Sequence, residues 1–87
     1  IGPAGPGLAL KHEPGKVTVR KVVPGSPADK AAISAGMVVV AIEGYPAEDL
    51  SPDEATNLLY GSGGSALSLD LSSPGYKVTT NYRLRRQ

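Results

Sequence analysis

Apolar and polar positions alternate in two stretches, Val17-Thr18-Val19-Arg20-Lys21-Val22 and Ala66-Leu67-Ser68-Leu69-Asp70-Leu71. Successive side chains of a strand point to opposite faces, so this alternation predicts two half-buried strands. A third stretch, Met37-Val38-Val39-Val40-Ala41-Ile42-Glu43, is apolar at nearly every position. It predicts a central strand over 37–43, buried on both faces. Leu8-Ala9-Leu10-Lys11 predicts a short strand, followed by a turn at Glu13-Pro14-Gly15-Lys16. The final strand is expected from about 77 to 85, through Val78, Asn81 and Arg83, forming a hairpin with 65–72 across Ser73-Pro74-Gly75.

Two start signals place helices between these strands. In Ser26-Pro27-Ala28-Asp29 the serine hydroxyl can accept an orphan backbone N–H. Pro27 loses nothing at the first helical position, and Asp29 stands where a capping box has its carboxylate. A short helix over 27–32 is expected, with a tight turn at Gly36. Ser51-Pro52-Asp53-Glu54 repeats the signal and opens a helix over 52–60 with Ala55, Leu58 and Leu59 on its apolar stripe. Gly61 is the expected left-handed stop. The elements describe an α+β, mainly β fold: a partly open barrel of five or six strands capped by two helices.

Composition narrows the function. Eighty-seven residues make one small domain with a single core. With no Cys, Trp or Phe, that core is built from Val, Leu, Ile and Ala, without disulfides. The 11 glycines and 8 prolines fall mostly at turns and caps. A formal net charge of +1 gives no reason to expect a nucleic-acid partner, and no apolar run approaches a membrane span. The chain starts at Ile1 rather than Met, which suggests a piece of a larger protein.

The order of loop, Gly25-Ser26-Pro27-Ala28 helix, Gly36 turn, buried strand and Gly44 resembles the PDZ domain. The likeness runs from residue 5 to residue 85: the Ser51-Pro52 helix and the final two strands follow where that family has them. Residues 1–6 read as a linker remnant and 7–87 as a single PDZ domain. Strand order is that of the permuted, bacterial-type members, with carboxyl-terminal processing proteases and PDZ-containing retropepsin-like aspartic proteases as look-alikes. Two positions depart from the family pattern, which usually has Gly where Ala32 stands and Asp where Met37 stands. Both changes read as structural.

The resemblance implies a peptide-binding groove. Its carboxylate-binding loop and edge strand would be Gly5, Pro6, Gly7, Leu8, Ala9 and Leu10, and its facing wall Pro52, Thr56 and Leu59. Ala55 and Leu58 would turn into the core. An edge strand accepts a partner strand through backbone hydrogen bonds while pockets sort alternate side chains. Leu8, Leu10 and Leu59 would suit a small or medium aliphatic residue, and Leu59→Asp is expected to abolish binding while sparing the fold. Pro6 has no N–H, so carboxylate capture would fall to Gly7 and Leu8. Pro52 stands where many eukaryotic members carry a ligand-reading His.

No catalytic constellation emerges. His12 is the sole histidine and reads as a solvated residue of a turn-like stretch. The carboxylates Asp49, Asp53 and Glu54 gather at a helix start, where the dipole favours them without a metal. Arg83, Arg85 and Arg86 are expected to keep the last strand soluble or lead onward. The expected function is recognition of C-terminal or unstructured polypeptide segments by strand addition, as the non-catalytic module of a larger protease, without a cofactor. The isolated domain is expected to be monomeric, its partners a peptide or the protease domain of the same chain. The resemblance favours a periplasmic, cell-envelope or secreted setting. The alternative is a structural or regulatory module that docks on a neighbouring domain or a scaffold or secretion partner.

Overall fold

The computed structural model describes residues 5–75 and 78–87. Six strands form one sheet. β1 (Leu8–Glu13), β2 (Lys16–Val22), β3 (Val38–Ile42), β5 (Ala66–Ser72) and β6 (Thr80–Arg85) follow one another across it, and the two-residue β4 (Tyr45–Pro46) pairs with β3. All pairings are antiparallel, so β1 and β6 end the order as edges. Two helices, α1 (Pro27–Lys30) and α2 (Pro52–Leu59), complete the architecture, with a 3-10 turn at Ala47–Asp49. This is the mainly β, PDZ-like fold expected from the sequence.

The alternation in β5 holds throughout: Leu67, Leu69 and Leu71 are buried, and the residues between them are not. They meet Val17 and Val19 of β2, Val39 and Ile42 of β3, Leu8, Leu84, and the helix residues Ala28, Ala55 and Leu59 in one aliphatic core. Each fully buried leucine contributes roughly 1.5–3 kcal/mol from the removal of apolar surface from water. Tyr82 packs at the margin of that core.

The central strand departs from the expected burial on both faces. The β3–β5 register shifts between Val39 and Ala41, leaving Val40 as the extra residue of a bulge, and Val40 is 41% exposed. The bulge lets Val39 and Ile42, three apart, both enter the core. A matching shift in the β1–β2 pair leaves Arg20 as the extra residue of β2, while β1 keeps its alternation unbroken.

Both caps form, with one change. Ser26 Oγ accepts from the Asp29 N–H at 3.2 Å, and the same hydroxyl donates to the Gly7 carbonyl at 3.3 Å. Asp29, a methylene shorter than Glu, receives the Gly25 N–H at 2.8 Å instead of closing the box on Ser26. The Ser26 N–H is already given to the Val23 carbonyl at 3.1 Å. Helix α1 stops at Lys30 rather than reaching 32, because Ala32 takes a left-handed φ of 64°. The Ile33 N–H then bonds the Ala28 carbonyl at 3.1 Å and the Ala32 N–H bonds Asp29 at 3.0 Å. These two bonds make a Schellman motif, with Ile33 and Ala28 both buried beside it. Met37 is buried, and its sulfur also accepts the Ser34 N–H at 3.3 Å, so it supplies packing and a weak turn bond together.

The last strand starts later than expected. Val78 is 72% exposed and precedes β6, which begins at Thr80. Lys77, where the expected strand began, and residues 1–4 of the expected linker lie outside the described residues. Pro6, also assigned to that linker, has a fully buried ring, and its carbonyl accepts the Ala28 N–H at 3.0 Å. Ordered packing therefore starts by Gly5.

Ala32→Gly relieves the one left-handed alanine, a conformation that costs a side-chain-bearing residue about 1–2 kcal/mol. The variant is expected to unfold at higher denaturant, gaining about 1 kcal/mol in equilibrium urea titration. An unchanged midpoint would show that the Schellman bonds already absorb the strain.

Candidate functional site

The groove is built from β1 and α2. On β1 the period of two puts Leu8, Leu10 and His12 on one face, opposite Val22, Val19 and Val17 of β2. Among the described residues β1 bonds β2 on one side only, which leaves its other edge unpaired. Across that edge stands α2, and between them lies a cavity of about 250 Å³ lined by Leu8, Ala9, Leu10, His12, Pro52, Thr56, Leu59 and Tyr60. Six of the nine expected site residues thus line one cavity. Leu8 and Leu59 form its buried floor, Thr56 and Pro52 its exposed wall.

Gly5, Pro6 and Gly7 form the loop at the end of the groove. All three carbonyls bond inward: Gly5 to the Gln87 N–H at 3.1 Å, Pro6 to Ala28, and Gly7 to the Val23 N–H at 2.7 Å. In a trans peptide the C=O and the following N–H point in opposite directions. The Gly7 N–H is therefore turned away from Ala28 of α1, and the Leu8 N–H away from Val23. Gly7 takes a φ of 84°, and a Cβ there would collide with Ser26. Only glycine fits both the conformation and the approach. The Tyr60 ring lies against Gly5, at the junction of loop and helix, where a Cβ would strike it.

Several sequence readings change here. Leu59 is 3% exposed and belongs to the core, so Leu59→Asp would bury a carboxylate and unfold the domain. Leu58 is the half-buried one; with Tyr45, Leu50, Glu54 and Asn57 it lines a separate hollow on the other flank of α2. His12 is no turn residue: it lies within β1, half-buried in the groove. Neither His12 nor Tyr60 was expected in the site. The phase of the 8–11 alternation, carried one pair further, would have found His12.

Gly61 does not end α2 in a left-handed turn. Tyr60 leaves the helix in an extended conformation (φ −102°, ψ 150°), and the last carbonyls are met from the far end of the chain. Arg86 Nε donates to the Leu59 carbonyl at 3.0 Å, and its Nη2 to the Leu58 carbonyl at 2.6 Å. Its Nη1 reaches Ser65 Oγ at 3.0 Å and the Ala66 carbonyl at 2.8 Å. The guanidinium lies against Gly61, where a Cβ would crowd it. Arg86 is thus a helix cap rather than a solubilising residue, and its charge suits the negative end of the helix dipole.

The other end of α2 carries a complete capping box. Ser51 Oγ accepts from the Glu54 N–H at 3.1 Å, and Glu54 Oε1 accepts from the Ser51 N–H at 2.9 Å. The bond from the Ser51 backbone, then that from its hydroxyl, holds the Glu54 carboxyl below its ordinary value of 4.5. The groove wall is pinned at both ends.

A six-stranded antiparallel sheet with an open edge strand faced by a capped helix is the architecture of PDZ domains, and the PDZ domain family model matches residues 2–72. The chain belongs to the PDZ domain family. Among relatives, it is similar to a chloroplastic C-terminal processing peptidase of Tetradesmus obliquus, 34% identical over 95% of this chain and 19% of that protein. A carboxyl-terminal-processing protease of Picosynechococcus is 36% identical over 95% of this chain and 20% of its own length. The chain thus spans about a fifth of the relatives it matches. Among solved structures, a photosystem II D1 C-terminal processing protease superposes with a TM-score of 0.90 at 33% identity, covering 97% of this chain and 23% of that one. The PDZ domain of a Vibrio cholerae carboxy-terminal protease, solved in complex with peptide, gives 0.86 at 21% identity, covering 98% and 94%.

Two substitutions test the pinning. A carboxyl with a depressed folded-state value stabilises fully above its unfolded value and loses that contribution as pH falls through the folded one. Wild type is therefore expected to lose more thermal stability than Glu54→Gln between about pH 5 and pH 3, by calorimetry; parallel curves would leave the capping carboxylate without effect. Arg86→Met is expected to lower stability by about 2 kcal/mol in urea, since it strips partners from partly buried carbonyls. Hydrogen exchange should accelerate most across 52–66, and uniform acceleration would contradict a local cap.

Proposed function

We propose that this domain binds an extended polypeptide segment, C-terminal or unstructured, as an added strand beside β1, with α2 as the opposite wall. One observation carries this reading: the unpaired edge of β1 runs directly along the cavity whose floor is Leu8 and Leu59. Backbone groups of Leu8, Leu10 and His12 supply the ladder, and the floor takes one aliphatic side chain. The Gly7 and Leu8 N–H groups favour a free carboxylate at the end of the groove, with two donors in place of the three a residue other than Pro6 would allow. A buried aliphatic side chain contributes roughly 1.5–3 kcal/mol, so affinity is modest once the peptide is ordered. That a fold relative was solved with a peptide supports the same mode. In its parent protein the domain would serve as the recognition or regulatory module of a processing protease, with catalysis carried by the rest of that chain.

A second reading, docking on a neighbouring domain, draws on a different face. Tyr45, 58% exposed, lies with Leu50 and Leu58 on the outer flank of α2, away from the groove.

Titration of the labelled domain with pooled C-terminal peptides and their amidated twins separates the two by NMR. The expected shifts fall on Gly7, Leu8, Leu10 and 52–59, and amidation weakens binding about tenfold. Thr56→Trp, filling the groove from an exposed position, is expected to weaken binding at least about tenfold while the melting temperature holds. Silence in the groove, or shifts confined to Tyr45, Leu50 and Leu58, would overturn the groove reading in favour of docking.

A further inference from the structure

His12 lines the groove and carries a buried polar atom that the described residues leave unmet. Its Nε2 is buried and has no hydrogen-bond partner among the described residues. Leu8, Ala9, Leu10, Pro52 and Leu59 offer no side-chain donor or acceptor, and neither hydroxyl of the lining, that of Thr56 or that of Tyr60, bonds Nε2. The β1–β2 register sets His12 opposite the core residue Val17, which directs its Cα–Cβ bond to the face of β1 that Leu8 and Leu10 share. A buried polar atom without a partner is unfavourable, and one lining a groove is met when the groove is filled.

Resting on the groove reading above, we propose that His12 is a specificity-determining residue that selects a hydroxyl-bearing side chain in the bound segment. Strand periodicity gives the position. Leu8, Leu10 and His12 face the groove at intervals of two, so a residue seated against Leu8 and Leu59 puts the residue four before it opposite His12. The recognised segment is therefore at least five residues long. The chemistry follows from the ring. A hydroxyl donates and accepts, so it satisfies Nε2 in either neutral tautomer. A ligand carboxylate gains no fixed cation there: the lining residues include no Lys or Arg, and Lys11, on the other face of β1, pairs with Glu13 at 3.4 Å.

The test uses acetylated Gly-Ala-X-Ala-Val-Ala-Leu with a free carboxylate, where X is Thr, its isostere Val, or Glu, read by NMR titration of the labelled domain. The Thr peptide is expected to bind about five- to tenfold more tightly than the Val peptide and to move the His12 Nε2 nitrogen resonance, which the Val peptide leaves in place. His12→Leu should remove the preference, and His12→Gln, which keeps a hydrogen-bonding side chain should the leucine variant fail to fold, should retain part of it. Equal binding of Thr and Val peptides that shift Leu8 and Leu10 would overturn the role of His12 and leave the groove reading standing. So would a preference that survives His12→Leu, or tighter binding of the Glu peptide. Failure of all three peptides to shift Leu8, Leu10 or 52–59 would overturn the groove reading and this inference together.

Discussion

The groove wall of this domain is held at its carbonyl end by one guanidinium. Helix α2 has eight residues, too few to persist in water by propensity alone, and its carbonyl end has no glycine cap. Arg86 replaces that cap with bonds to Leu58 and Leu59, and its remaining donors hold the start of β5 at Ser65 and Ala66. Because all of this comes from one planar, permanently charged group, helix and sheet are held in a fixed relation. Arg86 thus ties the Leu59 end of the groove wall to the start of β5 without itself lining the groove.

The opposite wall is held by an equally local device. Ser26 caps α1, donates to Gly7, and comes so close to it that only glycine fits. The loop that turns two N–H groups away from Ala28 and Val23 is thus positioned by the cap of a four-residue helix. Pro6, which removes a donor from the loop, returns a buried ring to the core and a carbonyl to Ala28. The same residue weakens one property of the groove and stiffens its frame.

Much of this was legible in the sequence because it is encoded locally. Ser26-Pro27 and Ser51-Pro52 act within a single turn, and the 66–71 alternation needs only the pleat of a strand, so caps and strands emerge from short windows. What escaped depends on residues distant in sequence. Gly61 suggested a left-handed stop, yet the actual cap comes from 25 residues further on. Val40 belonged to an unbroken apolar run, and only the pairing with β5 makes it a bulge. Leu58 and Leu59 are adjacent on a helix, and which one enters the core is decided by the tertiary packing of α2. His12 was hidden by Pro14 and Gly15, whose turn signal made the end of β1 look like loop. The strand and the helix that line the cavity are legible as elements from the sequence, while the Tyr60 and His12 side chains that join its lining are not.

The hydrogen bond between Gly5 and Gln87 joins the first described residue to the last, 3.1 Å apart. With these two residues joined, the described part of the domain is, in its contacts, nearly a closed ring. Each strand finds its neighbours by pairing and each helix by burial, and none of those contacts requires the covalent path to open at that point. The order in which the elements occur along the polypeptide is then incidental to the packing. The same three-dimensional object can be written into sequence from several starting points, which gives a physical basis for a fold that tolerates rearranged strand orders.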